Sequence, residues 1–222
     1  AGRYAIRLSD RGGRAIGCES TSTNGDAISI ANTGCVIYGC HLLNSNRGLT
    51  VVGDDHKIML NIIAGCSTAG ISLPSGSDAN VIAQNTLYGA GTPAGTGILL
   101  NATTGIYNTV IGNIISGFTT GINSAAQGDS NYYDYNNFFN NTTNRTNVTA
   151  GVNDIALDPA FVNAAGGNFA VGANMKAVSF PGAFPSGNST GYLDIGAVQR
   201  IEPAAGTAGG ARVVVNGAVS GG

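Results

Sequence analysis

The segments Ile58-Met59-Leu60-Asn61, Ile82-Ala83-Gln84-Asn85 and Val110-Ile111-Gly112-Asn113 share one frame: an apolar residue and, three positions on, an asparagine. The frame extends in both directions. Ala15-Ile16-Gly17-Cys18 and Ile37-Tyr38-Gly39-Cys40 precede it with cysteine in the last place, and Tyr133-Asp134-Tyr135-Asn136 follows. Two residues past each Cys or Asn stand Ser20, Leu42, Ile63, Leu87, Ile115 and Phe138. Successive Cys/Asn positions are 22, 21, 24, 28 and 23 residues apart. Self-similarity at such a period marks a repeat architecture.

A second series runs in register with the first: Asp26-Ala27-Ile28-Ser29-Ile30, Arg47-Gly48-Leu49-Thr50-Val51, Ala69-Gly70-Ile71-Ser72-Leu73, Thr96-Gly97-Ile98-Leu99-Leu100 and Thr120-Gly121-Ile122-Asn123. Each alternates as a strand with one buried face does. Short strands joined by turns within each repeat predict the coils of a parallel β-helix. One coil cannot bury its own apolar side chains, but coils stacked at about 4.8 Å form a continuous core. The longer step from Asn85 to Asn113 predicts an inserted loop at residues 89–95.

The pattern resembles the right-handed parallel β-helix repeat family over roughly residues 12–140. The resemblance implies an all-β, right-handed solenoid. Beyond it, Asp158-Pro159-Ala160-Phe161-Val162, Asn168-Phe169-Ala170-Val171 and Asp194-Ile195-Gly196-Ala197 are similar to the closing region of bacterial and phage β-helices. The chain therefore divides into coils at 1–149, an irregular C-terminal cap at 150–202 over the open end, and a terminal arm at 203–222. The arm joins a Gly/Ala linker to the lone strand-like run Arg212-Val213-Val214-Val215-Asn216, which is expected to add to the cap or to a neighbouring subunit.

Composition narrows the function classes. Only 10% of the 222 residues are charged and the net charge is −2, against the basic surface that nucleic acid requires. No apolar run is long enough for membrane insertion as a helix. The chain opens on Ala1-Gly2-Arg3-Tyr4, with neither Met nor an apolar leader, as a processed product or a piece of a longer chain would.

Stacking makes neighbours on adjacent coils computable. Asn61, Asn85, Asn113 and Asn136 fall in one column, where amides hydrogen-bond along the axis and asparagine tolerates a left-handed turn. Cys18 and Cys40 extend that column, and all six read as structural. The four cysteines lack zinc spacing, and a Cys18–Cys40 disulfide is conceivable without being required. Glu19 falls beside His41, the arrangement of a general acid/base pair or of a plain surface ion pair. Asp26 falls beside Arg47, as a cross-coil salt bridge.

The densest polar run is Gly53-Asp54-Asp55-His56-Lys57, with Asp78 on the same turn one coil later. Paired carboxylates on a β-helix are similar to those of polygalacturonases, where they activate water and protonate a leaving oxygen. That family's Gly-His-Gly and Arg-x-Lys motifs are missing. By comparison with pectate lyases, Asp54, Asp55 and Asp78 are the residues for a weak calcium ion; no other cofactor is expected. Read plainly, the run is a hydrophilic turn. Tyr132, Tyr133 and Tyr135 form either a sugar-stacking platform or cap packing.

The favoured expectation is a non-catalytic structural protein: a phage decoration, cement or tail-associated subunit, or a bacterial surface module. The resemblance implies a homotrimer held by flat faces, among virion or surface partners. The alternative is a polysaccharide-active enzyme or carbohydrate-binding module, secreted or part of a tailspike.

Overall fold

The computed structural model describes residues 4–21, 24–74, 76–90, 95–101, 107–125, 130–175 and 194–199. Among the described residues, nineteen strands form three parallel sheets that run along a solenoid. The first sheet stacks Tyr4–Leu8, Asp26–Ala31, Arg47–Val52, Ala69–Leu73, Thr96–Leu100, Thr120–Ser124 and Thr143–Thr146. The second stacks Arg14–Ile16, Val36–Tyr38, Lys57–Met59, Val81–Ala83, Thr109–Ile111 and Tyr132–Asp134. The third stacks Glu19–Thr21, His41–Leu43, Ile62–Ala64, Thr86–Tyr88, Ile114–Ser116 and Asn137–Phe139. The fold is the parallel β-helix that the repeat predicts.

Core columns follow from the register. Ile28, Leu49, Ile71, Ile98 and Ile122 align in the first sheet. Ala15, Ile37, Ile58, Ile82, Val110 and Tyr133 align in the second. Ser20, Leu42, Ile63, Leu87, Ile115 and Phe138 align in the third. In the second and third sheets the inward residue is the middle one of a three-residue strand, because side chains alternate along a strand. Nearly all these side chains are fully buried and form one cluster.

Corners need sharp turns, and left-handed residues supply them. Gly17, Gly39, Leu60, Gln84, Gly112 and Tyr135 all have positive φ immediately before the Cys/Asn column. Leucine, glutamine and tyrosine there carry a conformational cost that the ladder beside them offsets. Along the first sheet, Gly48, Gly70, Gly97 and Gly121 occupy one column. A Cβ on Gly97 would lie 2.6 Å from both the Gly121 carbonyl oxygen and Ile115 Cγ2.

The region after the coils differs from the expected cap. Residues around Asp154 and Ile155 do close the end: Ile155 pairs with Asn137, and Phe138 N–H donates to the Ile155 carbonyl at 2.9 Å. Arg145 takes the next place in the Ile122 column and lies over the Phe138 ring at 4.1 Å. It also pairs with Asp154.

Residues 158–175 and 194–199, however, do not stack over the opening. They lie along the outer face of the third sheet. Phe161 and Phe169 meet Tyr88 edge-on, with ring centroids 5.9 and 5.6 Å away. Val171, Met175 and Ile195 pack on Ile114. Gly196 N–H donates to the Gly112 carbonyl and Ala197 N–H to Thr86 Oγ1. Gly196 has φ +95, and a Cβ there would come within 2.6 Å of Ile114 Cδ1. The physical reason is the outward row Ile62, Ala64, Tyr88 and Ile114, an apolar stripe that gains by being covered.

The arm at 203–222 lies outside the described residues, as do residues 91–94 of the expected loop. No helix among the described residues is long and apolar enough to cross a membrane.

Candidate functional site

The Cys/Asn column is a continuous buried ladder. Asn61, Asn85, Asn113 and Asn136 each accept, at Oδ1, the backbone N–H one coil earlier, at 2.9–3.0 Å. Each Nδ2 donates back to a carbonyl of the preceding coil: Ile37, Ile58, Ile82 and Val110. Amide also meets amide, Asn61 to Asn85, Asn85 to Asn113 and Asn113 to Asn136, at 2.9, 3.0 and 3.0 Å. The ladder stops at Asp154, whose Oδ1 accepts from Asn136 N–H at 2.8 Å. A carboxylate accepts and does not donate, so no further rung is required.

Sequence reasoning missed a second ladder at the corner entering the second sheet. Cys35 N–H donates to His56 Nδ1 (3.0 Å), His56 N–H to Asn80 Oδ1 (2.9 Å), Asn80 N–H to Asn108 Oδ1 (2.9 Å) and Asn108 N–H to Asn131 Oδ1 (2.8 Å). His56 thus stands where its neighbours are asparagine. Its side chain is fully buried, and Nε2–H donates to the Val52 carbonyl at 3.3 Å. Nδ1 must then be the unprotonated acceptor, which fixes the neutral tautomer. Burial holds its pKa below the ordinary 6.5, against the opposing pull of Asp54 and Asp55. The signal for this ladder was the asparagine at 80, 108 and 131, each directly preceding a strand.

The candidate turn is therefore divided. Asp54 is half-buried, and its Oδ1 accepts Asp78 N–H at 2.9 Å, tying one coil to the next. Asp55 is exposed in a left-handed turn (φ 60). His56 points inward, away from both. Among the described residues, no three His, Cys, Asp or Glu side chains gather to hold an ion. Glu19 and His41 are direct register partners at the third sheet's N-terminal end. Glu19 is exposed and His41 half-buried. Asp26 accepts from Arg47 at 3.4 Å and from Thr50 Oγ1 at 2.7 Å.

The tyrosines do not share one face. Tyr132 projects outward at 53% exposure, Tyr133 is in the core, and Tyr135 occupies a left-handed corner. Tyr132 hydroxyl donates to Asp134, which also accepts Tyr135 N–H and both donors of Asn153. Burial pushes the Asp134 carboxyl up, but hydrogen bonds from Asn153, Tyr135 and Tyr132 outweigh it and hold it below the usual carboxylate value. Asp134 builds the last regular coil.

One flank is left uncovered by the described residues. On the second sheet the outward residues include Ile16 (58% exposed), Tyr38 (43%) and Tyr132, with half-buried Val36, Met59, Val81 and Ile111 between them. This flat stripe is mostly apolar. Charge intrudes at Arg14 and Lys57, and Asp134 ends the column of Ile16, Tyr38, Met59 and Ile111.

The family described as "Periplasmic copper-binding protein (NosD)" matches residues 3–172. No curated protein matches the chain, nor does any solved structure. Copper is held by imidazole, thiolate and thioether donors. Among the described residues, no three His, Cys, Asp or Glu side chains gather as such a set. Of the two histidines, His56 has both ring nitrogens engaged, Nδ1 by Cys35 N–H and Nε2 by the Val52 carbonyl.

Proposed function

The chain belongs to the NosD family, and from that premise we propose that it is a non-catalytic β-helix scaffold of the periplasm or cell surface. It works by contact: the flat outer face of the second sheet packs against further copies of the chain. The observation that carries this reading is the column of Ile16, Tyr38, Met59 and Ile111 in register on that face, with Tyr132 in the column beside it. Scattered exposed apolar residues mean little, whereas an aligned row on a flat sheet marks a contact surface. The roles of Asp54 and His56 within the turn support the same view, since both are engaged in holding coils together.

The size of the face sets the strength. Six strands at ~4.8 Å, three residues each at ~3.3 Å, give about 300 Å². A stable interface takes about 800 Å² from each partner. The contact is therefore weak and concentration-dependent unless the arm at 203–222 adds to it. A side-by-side trimer is the assembly that the resemblance to phage β-helices suggests. The family match gives the periplasmic or surface placement a support that the virion placement lacks.

Light scattering across a concentration series is the test. The expected result is association that Ile16→Asp with Tyr38→Asp abolishes while the melting temperature holds. A monomer at every concentration would refute it. A glycan-active reading has one geometric support, the adjacent Glu19 and His41. Cleavage of a polysaccharide that His41→Ala abolishes would establish it.

A further inference from the structure

The amide ladder ends in two thiols. Cys18 and Cys40 hold the first two places of the column, each following a left-handed glycine, Gly17 and Gly39. Backbone hydrogen bonds lock the coils together on both sides of the pair: Gly17 N–H to the Tyr38 carbonyl at 2.9 Å, and His41 N–H to the Cys18 carbonyl at 2.8 Å. The Cα separation is therefore the strand spacing of about 4.8 Å. That lies inside the range of about 4.4–6.8 Å that a disulfide spans.

The thiols lean together. Cys40 Sγ donates to the Ala15 carbonyl of the first coil at 3.4 Å, as each asparagine amide below it donates to the coil before. Cys18 Sγ, one coil away, turns to the Ile16 carbonyl at 3.7 Å, and the two thiols are near enough to influence each other's ionisation. Cys35 and Cys66 have no such relation. Cys35 leans towards Asp10 in the other ladder, where the preceding residue of the column is Gly13. Cys66 is buried at the third corner.

We propose that Cys18 and Cys40 form a disulfide that staples the first coil to the second. Two thiols give up two protons and two electrons, one S–S bond forms, and a disulfide oxidant is reduced to two thiols. Cys18, the more accessible, attacks the oxidant and makes a mixed disulfide. Cys40 then attacks the Cys18 sulfur and expels the second thiol. Burial pushes the Cys40 thiol up to about 11, so this second step is slow at neutral pH and quickens as pH rises. Side chains in register run parallel, so closing the bond draws the Cβ atoms together. The inference rests on the periplasmic or surface reading only for the supply of oxidant.

The test uses the full chain, purified reduced and treated with excess oxidised glutathione in the presence of a metal chelator. Free thiols are counted in denaturant, and peptides are mapped by mass. The expected result is a fall from four thiols to two, a Cys18–Cys40 linked peptide about 2 Da lighter than the reduced pair, and a higher melting temperature that dithiothreitol reverses. Cys18→Ser, which folds without the bond, should lose the rise. Four surviving thiols, a different pairing, a stable glutathione adduct on Cys18, or an unchanged rise in Cys18→Ser would overturn it. Protein alkylated at harvest separates the two readings. Reduced thiols in the cell, with the bond forming readily in vitro, would sink the compartment and leave the staple standing.

Discussion

Asn85→Ala removes the middle rung of the longer ladder. Four hydrogen bonds go. Asn85 Oδ1 accepts from Asn61 N–H (3.0 Å) and Asn61 Nδ2 (2.9 Å), and Nδ2 donates to the Ile58 carbonyl (2.9 Å) and Asn113 Oδ1 (3.0 Å). All three asparagines are fully buried, so water does not replace what is lost. At about 1 kcal/mol net for each bond, the cost is about 4 kcal/mol. A domain is stable by only about 5–15 kcal/mol, so the urea midpoint should fall by a large fraction. The Asn61 amide, left without its acceptor, should also exchange with solvent far faster. Asn85→Asp should be no better, since a carboxylate keeps the acceptor, loses both donors and faces Asn113 Oδ1. Asp154 is tolerated in this column because it is the last rung and has nothing to donate to. Asn32→Ala is the control: its side chain bonds the Ser9 carbonyl and Thr33 N–H, but in the open. It should cost about 1 kcal/mol or less. If urea titration followed by circular dichroism gave Asn85→Ala and Asn32→Ala the same midpoint, the ladder would be decoration rather than structure.

Gly97→Ala puts a methyl 2.6 Å from the Gly121 carbonyl oxygen, with no flexible group to yield, and should cost about 1–3 kcal/mol in a thermal melt; a neutral result would mean that the coils can part at little cost. His56→Asn should flatten the acid side of the stability curve. The folded His56 has a lowered pKa, so the unfolded chain takes the proton first as pH falls through about 6.5. Its contribution is whole above that pH and is lost as pH falls towards the folded value; asparagine keeps the acceptor for Cys35 N–H without titrating. Equal pH slopes for His56→Asn and the parent would show that His56 is charged or exposed. Arg145→Ala should destabilise by about 2–4 kcal/mol, because it strips the cover from Phe138 and leaves the buried Asp154 carboxylate unpaired; the measurement is again the urea midpoint.

How much of this was legible in the sequence depends on whether a residue's partner repeats. The core columns and the Asn61–Asn136 ladder could be read because every member lies one coil from the next, and the spacing of the coils is written in the chain. Glu19 beside His41 and Asp26 beside Arg47 followed from the same subtraction. The second ladder hides because its members vary in type: Gly13, Cys35 and His56 precede the asparagines at 80, 108 and 131. A histidine between Asp55 and Lys57 looks like surface chemistry. Only the register shows that it fills an asparagine's place.

The packing of the C-terminal segment was illegible for a different reason. Ala197 meets Thr86 and Gly196 meets Gly112, contacts that no period predicts. The clue was present on the other partner. Outward positions of the third sheet carry Ile62, Ala64, Tyr88 and Ile114, too apolar to be left in water. Applied to the second sheet, the same reasoning points at Ile16, Tyr38 and Tyr132, and no described segment of the chain lies over them. A solenoid repeats its inward residues because every coil must stack. Its outward residues are free of that demand, so an apolar row among them records something that covers it. On the third sheet the cover is the chain itself, and on the second it is the further copy of the chain proposed above.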